Sequence, residues 1–269
     1  MSEFRADLHT HSTASDGTYS PAQLIELAKE RGLQGISITD HDTLAGYDSA
    51  LFELADRLGI CLLIGVEFSS FHRNEPVHIL GYALDLKNPA LSELVLRHQK
   101  RREKRNRLMI DKLRKEGFDL SYDELEGGAS IGRPHIANLM VKKGYVSEIN
   151  EAFKRYLGNG KKAYVNVDPI SISETIDIIH SAKGKAFLAH PHLMKGSSVK
   201  EVLKYSFDGM ECYYARFQID YEKRYIKMAK ERRLLISGGS DFHGDNKLYN
   251  PLGASWTDEE SFNLIQAAE

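Results

Sequence analysis

An α/β fold of parallel strands joined by crossover helices, interrupted by one helical block, is what this 269-residue sequence predicts. Three observations carry the prediction. Short apolar runs of strand length alternate with amphipathic segments. The segments between them carry helix start and stop signals. Between about residues 90 and 168 the alternation fails, and helical patterns follow one another. With 42% hydrophobic residues the chain can bury a real core, which excludes wholesale disorder.

In chain order, "EFRADLH" (3–9) is the first strand candidate. "SPAQLIELAKERG" (20–32) follows as a helix, with an early proline, leucines at helical spacing and a closing glycine. "GISITDH" (35–41) is the second strand, and "TLAGYDSALFELADRLG" (43–59) repeats the helix grammar. "CLLIGVEFS" (61–69) and "VHILGYA" (77–83) are the next strands. The helical block then opens with "LSELVLRHQKRREKRNRLMIDKLRKEG" (91–117), a long basic helix, and continues through residues 121–158. "KAFLAHP" (185–191), "GMECYY" (209–214) and "RLLISGGSDFH" (233–243) resume the strands. The expected division is a barrel of residues 1–90 and 169–269, with residues 91–168 inserted as a helical cap over one end of the sheet.

The formal net charge of −2 argues for neither a nucleic-acid coat nor an acidic tail. The run "RHQKRREKRN" (97–106) is therefore read as a solvated helix face, with a nucleic-acid surface as the alternative. Cys61 and Cys212 lie in strand-like runs and read as reduced, buried thiols. The N-terminus is too polar for a signal peptide and no apolar run spans a bilayer, so a cytoplasmic protein is expected.

The polar residues at the strand ends set the chemistry. His9 and His11, two residues apart, point to one side of an extended strand, and Asp16 on the following loop can fold back beside them. Asp40 and His41, Glu67, His78, His190, Asp241 and His243 occupy the later parts of other strand candidates. In a parallel barrel those ends converge on one face, where catalysis is usually built. His72, His98 and His180 scatter elsewhere and read as ordinary residues. Mixed imidazole and carboxylate ligands suit hard or borderline divalent ions, and so many of them suit more than one. Ions held close together generate hydroxide from water, polarise phosphate oxygens and stabilise a leaving oxygen. Glu67 has two oxygens with which to bridge ions.

The motifs "DLHTHSTASDGT", "SITDHD", "GVEFS", "AHP" and "SDFHG", in that order, resemble the PHP (polymerase and histidinol phosphatase) metal-dependent phosphoesterases along the whole chain. The resemblance implies a distorted seven-stranded β/α barrel, TIM-like, holding two to three divalent ions, manganese first, with iron or zinc as alternatives. It gives one ion to His9, His11, Glu67 and Asp241, and a second to Asp16, His41 and His243. A third uses Glu67 as bridge, with His78 and His190. Asp40 becomes a partner that orients a ligand histidine. Asp42 takes either that role or a helix cap.

"IGRPHIANLMVKKG" and "FKRYLGNGKKAYV" resemble the branch with nucleoside 3′,5′-bisphosphate phosphatases and exoribonuclease-like relatives. There the insertion caps the metals, so Arg133 and His135 would reach substrate phosphates. Lys161 is a candidate for a second phosphate, His192 for the metal rim and Arg216 for phosphate. The chain departs from the family at Lys162, where a proline is common. The leading expectation is a metal-dependent phosphatase of small nucleotides, with Glu67, Asp241 and His243 central to catalysis and hydroxide as the nucleophile. No G-x-S-x-G elbow competes with it. Alternatives are 5′-3′ cleavage of short RNA, histidinol-phosphate hydrolysis, and a non-catalytic metal-binding module. No membrane association or obligate protein partner is expected.

Overall fold

The structure, a computed structural model, describes residues 4–73, 75–194, 196–215 and 219–267. Seven strands form one sheet in sequence order: β1 (Ala6–Thr10), β2 (Gly35–Ile38), β3 (Cys61–His72), β4 (Glu75–Tyr82), β5 (Lys185–Leu188), β6 (Gly209–Tyr214) and β7 (Leu235–Gly239). A parallel bridge between Thr10 and Phe242 curls the sheet into a nearly closed barrel, and the His11 N–H donates to the Phe242 carbonyl at 2.8 Å. Gly239 makes this closure possible, because a Cβ there would lie 2.4 Å from that of His9.

Helix α1 (Pro21–Glu30) starts at a capping box of Ser20 and Gln23. Helix α2 (Ser49–Leu58) starts on Asp48 and stops at Gly59 in the left-handed region. The helical block contains α3 (Pro89–Lys115), α4 (Arg133–Lys142) and α5 (Ile149–Ala152). After it, α6 (Ile172–Ser181), α7 (Gly196–Val202), α8 (Ile219–Arg232) and α9 (Glu259–Gln266) accompany the returning strands. None of the described helices is long and apolar enough to cross a membrane.

Four buried apolar clusters hold the layers together. Leu8, Leu63, Leu80, Tyr82 and Phe187 tie β1, β3, β4 and β5 to one another. Leu24, Ile25, Leu51 and Leu54 seat α1 and α2 against Ile36 and Ile38. Leu91 and Leu94 of α3 share the third cluster with Phe68, Ile79 and Ile176. Met109, Ile110 and Leu113, farther along the same helix, pack instead with Ile136, Met140, Leu157 and Ala163. Helix α3 thus belongs to the barrel at its start and to the helical block at its end.

Three expectations need correction. The sheet is not parallel throughout: β4 pairs antiparallel with both β3 and β5. Only two residues separate β3 from β4, too few for a crossover, so they form a hairpin. The inversion explains why His78, near the start of β4, faces the same end of the barrel as residues late in the other strands; its register partner is Ser69. Cys61 is exposed rather than buried, since it opens β3 at the uncovered rim; Cys212 is buried. The basic run of α3 is not a solvated face, because Arg101, Arg102 and Arg105 are 4%, 6% and 9% exposed.

Candidate metal centre

Glu67 lies at the middle of the ligand-rich barrel end, fully buried. Its Oε1 sits 2.7 Å from His78 Nδ1 and 2.9 Å from His190 Nε2. Its Oε2 sits 2.9 Å from His41 Nδ1, 3.3 Å from His11 Nε2 and 3.5 Å from His9 Nε2. Asp241 Oδ1 approaches His11 Nε2 and His243 Nδ1 at 3.4 Å and His9 Nε2 at 3.6 Å. On the other side, Asp16 approaches His243 Nε2 at 3.4 Å and His41 Nε2 at 3.8 Å. Ligand atoms of His11, Asp16, His41 and His243 lie within 4.8 Å of one another, and so do those of His9, His11 and Asp241.

The same proximity joins His41, Glu67 and His78. His41 therefore stands between Asp16 and Glu67 rather than beside Asp16 alone.

Whether these groups suit metal ions can be tested on their hydrogen bonding. His9 Nε2, His11 Nε2, His41 Nδ1 and Glu67 Oε2 are buried with no hydrogen-bond partner. Each lies close to an opposite ligand atom yet out of line for a hydrogen bond. His78 Nδ1 and His190 Nε2 are 3.2 Å apart while both face Glu67 Oε1. Lone pairs converging on shared points, rather than donors meeting acceptors, are the arrangement a cation needs. The donor set of imidazoles and carboxylates fits divalent transition ions.

Electrostatics agree. Burial pushes the Glu67 carboxyl up, but His78, His41 and His9 outweigh it and hold the group well below the carboxylate range. Burial likewise opposes charge on Asp241, and Lys247, His9 and His243 overcome it. Asp16 is held low in the same way, by His41, His243 and His11. Burial and the neighbouring His11 drive His243 down to about 3, so its imidazole stays neutral, as a ligand must. Three residues next to strand ends, Asp42, His190 and Asp241, have left-handed backbone φ values of 55°, 26° and 53°. Such strain collects at functional sites.

The second layer differs from the expectation. Asp40 orients no histidine. It accepts the Ser12 N–H at 2.7 Å and the Ser12 and Ser15 hydroxyls at 2.5 and 2.6 Å, fixing the loop that carries Asp16. Asp42 caps no helix, because α2 begins at Ser49 on its own cap. It accepts the Ser69 N–H and Arg102 Nε, both at 2.6 Å, and so joins the barrel to α3. The histidine-orienting carboxylate is Glu211 on β6, which the sequence reading passed over. Its Oε1 lies 2.9 Å from His9 Nδ1, and its Oε2 accepts the His190 N–H at 2.7 Å. An acidic residue inside the apolar run "GMECYY" was the available signal. Tyr214 and Lys247 were missed as well; both donate to Asp241 Oδ2.

The expected substrate residues fare unequally. Arg133 opens α4 with its guanidinium 5.7 Å from the Phe153 ring centre and 5.9 Å from that of Tyr164. His135 Nδ1 accepts the Gly132 N–H at 2.9 Å. Burial lowers its pKa while the Asp16 charge opposes, which puts His135 beside the metal rim. Gly128 lets this segment dock, since a Cβ there would meet the Thr13 carbonyl oxygen at 2.1 Å. His192 is half-buried with its ring 4.5 Å from that of Tyr214. Lys161 is exposed on a turn, and among the described residues no hydrogen bond or ion pair joins its ammonium to the cluster. Arg216 lies outside the described residues.

Known proteins place this architecture. The model of the PHP domain family matches residues 7–231. The chain is 39% identical over 245 residues to a 5′-3′ exoribonuclease of Haemophilus influenzae, covering 88% of this chain and 89% of that protein. It is 32% identical over 247 residues to a 3′,5′-nucleoside bisphosphate phosphatase of Chromobacterium violaceum, covering 88% and 86%. A solved structure of a proposed metal-dependent phosphoesterase from Bifidobacterium adolescentis superposes with a TM-score of 0.87 at 30% identity, over 97% of this chain and 94% of that one. Sequence, fold and ligand chemistry converge: the chain belongs to the PHP domain family, as a metal-dependent hydrolase of phosphate esters.

Proposed function

We propose that this enzyme hydrolyses phosphomonoesters of small nucleotides, with a nucleoside 3′,5′-bisphosphate such as adenosine 3′,5′-bisphosphate as the preferred class. The observation that carries the reading is the position of Arg133 and His135, on the helical block of residues 91–168, close to the barrel end that carries the buried ligands. His9, His11, Glu67 and Asp241 would hold one ion, and Asp16, His41 and His243 a second. Glu67, His78 and His190 would hold a third. Divalent ions bound there, manganese first and iron or zinc as alternatives, would supply an activated water and neutralise phosphoryl oxygens.

The chain's own residues do the rest. Glu67 spans the ligand groups, Glu211 fixes the His9 ring and the His190 backbone, and Tyr214 and Lys247 hold Asp241. Arg133 and His135 orient the substrate from above through charge-assisted hydrogen bonds. His192 lines the rim beside Tyr214.

A second reading, 5′-3′ cleavage of short RNA, is favoured by the Haemophilus influenzae relative. A nucleoside 3′,5′-bisphosphate and the first nucleotide of a 5′-phosphorylated RNA have the same layout, two phosphate groups on one nucleoside. A phosphate-release screen over nucleotide and sugar phosphates, with a short 5′-phosphorylated RNA alongside, separates the readings. Exhaustive chelation should abolish release and added manganese should restore it. Activity that survives chelation sinks the metal-dependent mechanism.

A further inference from the structure

The inward face of α3 holds more positive charge than the protein neutralises. Arg101, Arg102 and Arg105 are buried there, and Arg133 joins Arg101 and Arg105 around a narrow pocket walled by Phe71, His78 and Tyr164. Among the described residues the ion-paired carboxylate on this face is Asp42, and Arg102 occupies it at 2.6 Å. No described carboxylate lies within ion-pair distance of Arg101, Arg105 or Arg133.

Their existing partners are neutral. Arg101 donates Nε to the Val167 carbonyl at 2.9 Å and Nη2 to Asn166 Oδ1 at 3.3 Å, over the Phe71 ring. Its Nη1 is buried with no hydrogen-bond partner. Arg105 gives both Nε and Nη2 to the single Oδ1 of Asn106, at 3.2 and 3.0 Å. Burial, then the charges of Arg102, Arg133 and Arg101, push the Arg105 pKa well below its usual value. Buried guanidiniums that repel one another and meet only neutral acceptors are costly unless an anion completes them. Phosphate suits their planar forks.

The location narrows the anion. His78 walls this pocket and also lies 2.7 Å from Glu67 in the metal cluster. A ligand that reaches both places can put one phosphate on the ions and another among the arginines. We propose that Arg101, Arg105 and Arg133 form a subsite for a second phosphate of the substrate, one that is not cleaved. The proposal rests on the phosphoesterase reading and assigns to the basic helix the role of counting phosphates. That phosphate can come from a mononucleotide bisphosphate or from the 5′ end of a short RNA.

The test uses Arg105→Met and Arg105→Lys in the manganese-loaded enzyme. For each, kcat/KM is measured on adenosine 3′,5′-bisphosphate and on adenosine 3′-monophosphate, and on diadenylate with and without a 5′-phosphate. Arg105→Met should reduce the preference for the doubly phosphorylated member of a pair by about tenfold or more, and Arg105→Lys should regain part of it. A drop confined to the mononucleotide pair, or to the diadenylate pair, identifies the source of the phosphate. Equal losses within both pairs overturn the proposal.

Calorimetric titration of the chelated wild-type protein gives a second readout that needs neither turnover nor a folded variant. Adenosine 3′,5′-bisphosphate should bind at least about tenfold more tightly than adenosine 3′-monophosphate; equal affinities overturn the subsite. If the loaded enzyme turns over no phosphate ester while this preference persists, the phosphoesterase reading fails and the subsite stands.

Discussion

Replacing Glu67 by Gln keeps the shape of the side chain and removes its charge. In the structure five imidazole nitrogens surround this one carboxylate at 2.7 to 3.5 Å, and none of it reaches solvent. An amide offers one acceptor oxygen and turns two N–H donors toward the remaining histidines, so it cannot bridge ions. Removing one partner of a buried charged pair costs about 3–5 kcal/mol. At tenfold per 1.4 kcal/mol, that predicts metal binding weakened roughly 10²- to 4 × 10³-fold. The assay is metal content by elemental analysis after dialysis against graded chelator, followed by kcat at saturating manganese. Thermal unfolding would confirm that the variant folds. A Glu67→Gln protein with wild-type metal retention and wild-type turnover would refute the bridging role.

Arg133→Ala should lower kcat/KM on a nucleoside 3′,5′-bisphosphate by roughly 10- to 150-fold, the loss of one charge-assisted contact, and far less on an aryl phosphate; equal losses would assign Arg133 to the scissile phosphate or to the fold. Glu211→Gln leaves one acceptor for two N–H donors, from His9 and His190, and should cost about 10- to 100-fold in metal affinity or activity. Calorimetric manganese titration measures it, and wild-type affinity with wild-type activity would return Glu211 to a packing role. His98 is fully buried against Phe68, and burial lowers its pKa to about 4 from 6.5. The unfolded chain therefore binds the proton first, so the stability from keeping His98 neutral is present above pH 6.5 and lost as pH falls toward 4. By pH 5 the loss is about 2 kcal/mol, and urea unfolding of wild type and His98→Gln at pH 7.5 and 5 should show it in wild type alone.

Chemical oddity governed what could be read from the sequence. Histidines and carboxylates at the ends of apolar runs stand out because a core has no use for them, so His9, His11, His41, Glu67 and His190 announced a shared barrel end. The direction of β4 was legible but unread: seven residues between Ser69 and Val77 leave no room for a crossover helix. Glu211 hid for the opposite reason, as one acid in a run whose other members are apolar and inward.

The arginines are the instructive case. As composition, "RHQKRREKRN" is a charge run, and charge runs usually face water. As phase, it is something else. Leu91, Leu94, His98, Arg101, Arg105, Met109 and Leu113 recur three or four residues apart and are all buried, so the arginines continue the apolar stripe of α3. A cation placed on the core phase of a helix has left water for a reason that hydrophobicity cannot supply. Asp42 supplies it for Arg102. For Arg101 and Arg105 no carboxylate does so among the described residues, and the remaining source of negative charge is what the enzyme binds.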